Sequence, residues 1–228
     1  MTKSLIQVDD FISKIKNSTV ENTPWPYFSV NNMLDGSTST TIHNKLKEGI
    51  EWKPDSEASR FGSGNDNIWL SSSVSEEIRS IFRSLTTHNF LSEVFKKFNI
   101  DLPEKFHSSW SFAWHKKGAR QFPHTDLHVI EHSSDQHGTE YNQMLTQQIY
   151  FPNVESGVKY CEDSGMWLLE DRENDPDYEW IRLKQIKCNP GTYFCYPNSK
   201  ETFHEVPIQA EEFDRISAIS RTMWNKRK

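Results

Sequence analysis

The chain has 228 residues, of which 35% are hydrophobic and 13% aromatic, including eight Trp; that is enough length and apolar surface for one sizeable core and excludes a disordered chain. The formal net charge is −6 with acidic and basic residues interleaved, so no phosphate-tracking surface for nucleic acid is expected. Apolar runs around Ile149 and Ile219 fall far short of the roughly 20 residues of a membrane span, and Met1 to Asp10 lacks the apolar centre of a signal peptide, so the reading is a cytoplasmic protein with no membrane partner.

Chain order begins with a short extended segment, Trp25 to Leu34, set among helical material, with no Gly/Ser- or Pro-rich linker behind it. Val74 to Phe98 carries Ile78, Ile81, Phe82 and Leu85, then Phe90, Leu91, Val94 and Phe95, which predicts two packed helices broken near Thr86 to Asn89. From about Phe106 the texture changes to short apolar or alternating runs punctuated by Pro, Gly, Asn and Asp. Strands are expected at Trp110–Trp114, Phe122–Val129, Met144–Phe151, Met166–Glu170, Trp180–Lys184, Thr192–Tyr196, His204–Ile208 and Arg215–Met223. Eight short strands predict a mainly β fold, a jelly roll with flanking N-terminal helices. One domain over 1–228 is expected, with 1–105 packing on the sheet of a core at 106–225. Asp171 to Tyr178 reads as an acidic loop.

His124 and Asp126 are two apart in a predicted strand, so both side chains face one way and can converge on one ion. A third ligand must then come from a neighbouring strand, and His204 fits. Two histidines and one carboxylate on one face of a metal leave about three positions open, the arrangement of non-haem iron(II) oxygenases. A bidentate co-substrate and dioxygen can share that open side, whereas a closed four-ligand zinc site offers none. Eleven positions after His204 stand Arg215 and Ser217, again two apart. A planar, permanently charged guanidinium with a hydroxyl beside it suits the distal carboxylate of 2-oxoglutarate.

The ordered set resembles the prolyl-4-hydroxylase-like branch of the 2-oxoglutarate/iron(II) oxygenase superfamily. TPWPYFSVNNML (Thr23–Leu34) looks like that family's opening strand and helix start, and His115-x-x-Gly118 before PHTD (Pro123–Asp126) resembles its Tyr-x-x-Gly approach, with His115 in place of tyrosine. QIYFPN (Gln148–Asn153) is similar to its Tyr-Leu-Asn strand, which gives Tyr150 a 2-oxoglutarate contact by resemblance, although Pro152 departs from the pattern. PGTYFCYPNSKETFHEV (Pro190–Val206) resembles its Pro-Gly turn, aromatic strand and distal ligand, and RIS (Arg215–Ser217) its co-substrate clamp. The resemblance implies a double-stranded β-helix that binds Fe(2+) through His124, Asp126 and His204. It also implies turnover of 2-oxoglutarate and dioxygen to succinate and carbon dioxide, with ascorbate as an admissible reductant. A carboxylate at Asp126 leaves no halide-binding vacancy, so hydroxylation of an unactivated carbon is expected over halogenation. The substrate, a free metabolite or a protein or peptide side chain, is not legible, nor is the oligomeric state.

Other readings compete at each position. His128, His132, Asp135 and His137 form a second metal-capable cluster, read instead as a flap from Glu131 to Tyr141 over the active-site mouth. Arg215 could pair with Asp214 or Glu212, Tyr150 could simply pack the sheet, and Trp114, Trp167 and Trp224 read as core. FGSGND (Phe61–Asp66) lacks the third glycine of a dinucleotide loop, no G-x-S-x-G elbow occurs, and the basic tail Asn225–Lys228 reads as a solvated end. Cys161, Cys188 and Cys195 are odd in number with no C-x-x-C pair, which argues against disulfides and thiolate zinc; Cys195 lies in an apolar run unsuited to a nucleophile. The rival functions are a cupin-type jelly-roll metalloenzyme that does not use 2-oxoglutarate, and a non-catalytic jelly-roll binding module.

Overall fold

A computed structural model of the protein describes residues 5–54, 68–71, 74–127, 141–152, 165–170, 180–208 and 215–225. Four helices precede the main run of strands. Helix α1 (Val8–Asn17) has Asp9 and Asp10 in its first turn and Lys14 and Lys16 in its last, charges that complement the helix dipole. Helix α2 (Gly36–Gly49) starts where Asp35 accepts the backbone N–H of Thr38 at 2.8 Å. The predicted helical pair is α3 (Glu76–Arg83) and α4 (His88–Lys96), separated by a 3-10 turn at Ser84–Thr86. The break falls where expected because Ser75 and Thr87 each cap the helix that follows, accepting N–H groups of Ile78 and Phe90.

The strands are β1 (Phe28–Val30), β2 (Lys53–Pro54), β3 (Ile68–Ser71), β4 (His107–His115), β5 (Gln121–His124), β6 (Gln143–Pro152), β7 (Gly165–Glu170), β8 (Ile181–Lys187), β9 (Tyr193–Pro197), β10 (His204–Val206) and β11 (Arg215–Trp224). All eight predicted strands are present as β4 to β11. They form a seven-stranded sheet, β1-β9-β6-β11-β4-β3-β2, facing a four-stranded sheet, β5-β10-β7-β8. From β4 onward consecutive strands alternate between the two sheets one by one, except that β7 and β8 are neighbours in the smaller sheet, so this is the double-stranded β-helix that was expected. The short pair β2–β3 adds an edge to the larger sheet that the sequence reading lacked, its two strands too short for a periodic signal. Pro152 is accommodated at the last position of β6.

Alternation within the strands assigns each side chain to one of two layers. Leu145, Ile149 and Phe151 of β6 and Ile216, Ala218 and Trp224 of β11 join the helices' Phe90, Leu91, Val94 and Phe95 in one buried cluster. Each such side chain contributes about 1.5–3 kcal/mol on burial, so the helices are held on the outer face of the larger sheet mainly by apolar contact. His43 of α2 adds a polar tie, its Nδ1 lying 2.8 Å from the Phe151 carbonyl. The opposite face, between the sheets, is a second cluster in which Trp25, Tyr27, Tyr150, Phe194 and Tyr196 meet Met166, Leu168 and Ile186. Gly191 makes the Pro-Gly turn into β9: its φ is +68° and a Cβ there would stand 2.8 Å from Leu34, so only glycine fits. No described helix is long and apolar enough to cross a membrane. The predicted flap cluster at His128, His132, Asp135 and His137, the FGSGND segment, Cys161, the acidic loop and most of the basic tail lie outside the described residues.

Candidate active site

β5 and β10 pair antiparallel with His124 directly opposite His204, so two candidate ligands remote in sequence become cross-strand neighbours. Their rings are 4.4 Å apart between centroids. The Nδ1 of His124 lies 2.7 Å from the Phe122 carbonyl and that of His204 3.1 Å from the Thr202 carbonyl. A carbonyl only accepts, so each Nδ1 carries a hydrogen, and in the neutral ring the lone pair is then on Nε2, the tautomer a metal ligand needs.

Asp126 completes the group by a different route from the one expected. β5 ends at His124, and Asp126 sits in the turn that follows instead of two places along the strand. The pairing with β10 ends there, which frees the backbone to bring the carboxylate back over the larger sheet. The ligand atoms of His124, Asp126 and His204 lie within 4.8 Å of one another, the only such group among the described residues. His204 and Asp126 are buried and His124 is half-buried, so these side chains are more enclosed than ligands at an open cavity mouth.

The Asp126 carboxylate rests on a row of three strands in register, Tyr196 of β9, Thr146 of β6 and Arg221 of β11. The Tyr196 hydroxyl donates to Oδ2 at 2.9 Å, the Thr146 hydroxyl approaches the same oxygen at 3.4 Å, and Arg221 stands 3.6 Å from Oδ1. Asn198 in turn donates to Thr146 at 2.8 Å. Burial alone would raise the Asp126 pKa; the Arg221 guanidinium, the two histidines and the Tyr196 hydroxyl outweigh it and hold the carboxyl well below its usual range.

Further along the same face of β11, Arg215 is fully buried. One guanidinium nitrogen donates to the Gly165 carbonyl at 2.7 Å, while Nε and the other terminal nitrogen have no hydrogen-bond partner among the described residues. The hydroxyls of Ser217 and Tyr150 are likewise buried without partners, and these two residues face each other across β11 and β6. The guanidinium carbon lies 5.4 Å from the Tyr150 ring centroid, and His115 is paired with Arg215 across β4 and β11. Burial and then Arg215 push the His115 pKa well down, keeping the ring neutral; burial pushes the Cys188 thiol up to about 12 against the pull of Arg215. Among the described residues, then, a buried cation is ringed by neutral groups, and two of its nitrogens have unused donors, with Ser217 and Tyr150 beside them. Gly165 permits this geometry, since at φ +109° a Cβ would stand 2.0 Å from the Ile186 carbonyl.

No family model matches the sequence, and no curated protein matches it either. Solved structures do match. A prolyl-4-hydroxylase from Pseudomonas putida superposes with TM-score 0.55 at 12% identity, covering 96% of this chain and 100% of its own. HygX from Streptomyces hygroscopicus, solved with nickel and 2-oxoglutarate bound, gives TM-score 0.58 at 10% identity over 87% of this chain and 82% of its own. The fold is that of the 2-oxoglutarate/iron(II) oxygenases. A prolyl hydroxylase from Trichoplax adhaerens, in complex with a hypoxia inducible factor peptide, shares this oxygenase fold at TM-score 0.53 and 15% identity, over 98% of this chain and 91% of its own. Within it, the structure brings together His124, Asp126 and His204 at one place and Arg215, Ser217 and Tyr150 at another, on the inner face of the larger sheet. Sequence reading missed Tyr196, Thr146, Asn198 and Arg221 around Asp126 and the Gly165 carbonyl on Arg215. Arg221 had a signal: six places after Arg215, it shares that residue's face of a strand.

Proposed function

We propose that this protein is an iron(II)- and 2-oxoglutarate-dependent oxygenase that hydroxylates an unactivated carbon, with residues 1–105 supporting a catalytic core at 106–225 in one domain. The observation that carries the reading is Arg215. A guanidinium taken out of water costs several kcal/mol unless an anion compensates it, and its sole partner among the described residues is one neutral carbonyl. A carboxylate accepting from Nε and the free terminal nitrogen, with Ser217 and Tyr150 as further donors, satisfies all of these groups together.

The donor set fits the metal as well. Two neutral imidazoles and one carboxylate suit divalent iron and leave coordination positions open, and the second oxygen of Asp126 is occupied by Tyr196 and Thr146, which fixes its orientation. The rows holding Thr146 and Tyr150 are four residues apart on β6, about 13 Å at 3.3 Å per residue, room for a metal and a five-carbon diacid end to end. Iron with 2-oxoglutarate and dioxygen supplies the oxidising chemistry, with succinate and carbon dioxide released. The chain's own residues orient the diacid through Arg215, hold the ligand tautomers through backbone carbonyls, and exclude water with the Trp25, Tyr27, Phe194 and Tyr196 layer. A cupin-type enzyme that does not use 2-oxoglutarate, or a module without catalysis, gives no account of an uncompensated cation beside the metal-ligating group.

The test is anaerobic titration of the iron(II)-loaded protein with 2-oxoglutarate, following the visible charge-transfer band of bidentate chelation. The band is expected in the wild type, with at least a tenfold weaker half-saturation in Arg215→Ala. Iron binding without any band in the wild type would overturn the reading.

A further inference from the structure

Arg221 is the one cation on the site-facing row of β11 besides Arg215, and it stands at the other end of that row. Six residues separate the two, about 20 Å along a strand, with the metal-ligating group toward the Arg221 end through its contact with Asp126. The contact to Asp126 is loose, 3.6 Å and beyond hydrogen-bonding distance, and the Arg221 Nε is buried without a partner among the described residues. A quarter of the side chain remains exposed, unlike that of Arg215.

A second unmet group lies beside it. Thr146, in register with Arg221, directs its hydroxyl hydrogen to Asp126, so its lone pair accepts from the Asn198 amide nitrogen. That fixes the amide orientation and leaves Asn198 Oδ1, a buried acceptor, with no partner among the described residues. Thr146 therefore lies between an unused guanidinium donor and an unused amide acceptor.

Charge points the same way, and here the inference rests on the proposed function. A divalent metal and the two arginines together outweigh Asp126 and a doubly charged 2-oxoglutarate by one positive charge. Metal binding also draws Asp126 away from Arg221 electrostatically, since one carboxylate then serves two cations. We infer that the primary substrate is a monocarboxylate with a neutral N–H beside the carboxylate, an N-acylated amino acid or the C-terminal residue of a peptide, its carboxylate received by Arg221 and its N–H by Asn198.

The experiment uses protein loaded with manganese(II) and 2-oxoglutarate, which binds without turning over, and isothermal titration with three probe sets. These are N-acetyl amino acids, the same compounds as primary amides, and N-acetylated tripeptides ending in the same residues. The expected result is saturable binding of at least one carboxylate, at least tenfold tighter than its amide. Tighter binding of the tripeptides identifies a peptide end, and tighter binding of the N-acetyl amino acids a small metabolite. In Arg221→Gln the preference should fall to about twofold or less, and Arg221→Lys should restore part of it, which a purely structural role for Arg221 would not do. Equal binding of acids and amides by the wild type, or no binding from any set to the loaded protein, overturns the inference while leaving the oxygenase reading intact. Failure of 2-oxoglutarate to bind the manganese protein sinks both.

Discussion

Arg215 shows how one residue can be costly to the fold and, in the proposed function, needed by the site. In the ligand-free protein its charge is buried against a single carbonyl, so Arg215→Met removes a desolvated cation at the expense of one unsatisfied Gly165 oxygen, a loss of about 1–3 kcal/mol. The expected outcome is a melting temperature without ligand that stays level or rises. Stabilisation by saturating 2-oxoglutarate, about 2.7 kcal/mol at a hundred times Kd for the wild type, should vanish in the variant. A thermal scan with and without 2-oxoglutarate reads both, and a variant still stabilised by the diacid would contradict the clamp. In the proposed site Tyr196 would act on the metal through Asp126. Tyr196→Phe removes the 2.9 Å hydrogen bond and should weaken manganese(II) affinity about tenfold in a direct titration, with little change in fold; unaltered affinity would reduce Tyr196 to packing.

Elements owe their places to signals of unequal strength. The helical pair was legible because four apolar residues at helical spacing lie on each side of a Ser/Thr-capped break, and propensity, pattern and cap agree. The start of α2 rests on Asp35, which Ser37 and Thr38 hold well below the usual carboxylate range by donating to it. A depressed folded-state pKa means that this contribution is complete above the unfolded value of about 3.9 and fades as pH falls through the lower folded value. Asp35→Ala should cost about 1 kcal/mol near neutral pH, whereas Asp35→Asn should keep most of the cap and flatten the acid limb of the stability curve below pH 4. Urea titrations across that range measure both; an acid limb unchanged in Asp35→Asn would show that other carboxylates set it. The strand β5 was over-read by the same method, because alternation continues past His124 while the pairing does not. β2 and β3 were not seen because two- and four-residue strands carry no period.

At the scale of the molecule, the larger sheet divides two tasks between its faces. Its outer face and the helices supply stability, and its inner face, together with β5 and β10 of the smaller sheet, carries the candidate site. Phe95, fully buried with its ring 4.9 Å from that of Trp224, belongs to the outer layer. Phe95→Ala should lower unfolding free energy by about 3–5 kcal/mol, read by urea denaturation, and leave manganese(II) affinity within about twofold. A large loss of metal affinity would mean that the two layers are coupled more tightly than their separate clusters imply. The sequence by itself determined the eight core strands and the helical pair and singled out the candidate ligand set and the candidate clamp arginine, since each follows from local periodicity or from residue types suited to particular chemistry. Tertiary structure alone decided that His204 faces His124, that Asp126 returns from a turn onto Tyr196, Thr146 and Arg221, and that Arg215 is sealed with unused donors. Those are contacts between strands up to about a hundred residues apart, fixed by sheet register and by which sheet each strand joins, and neither is encoded in any single window of the chain.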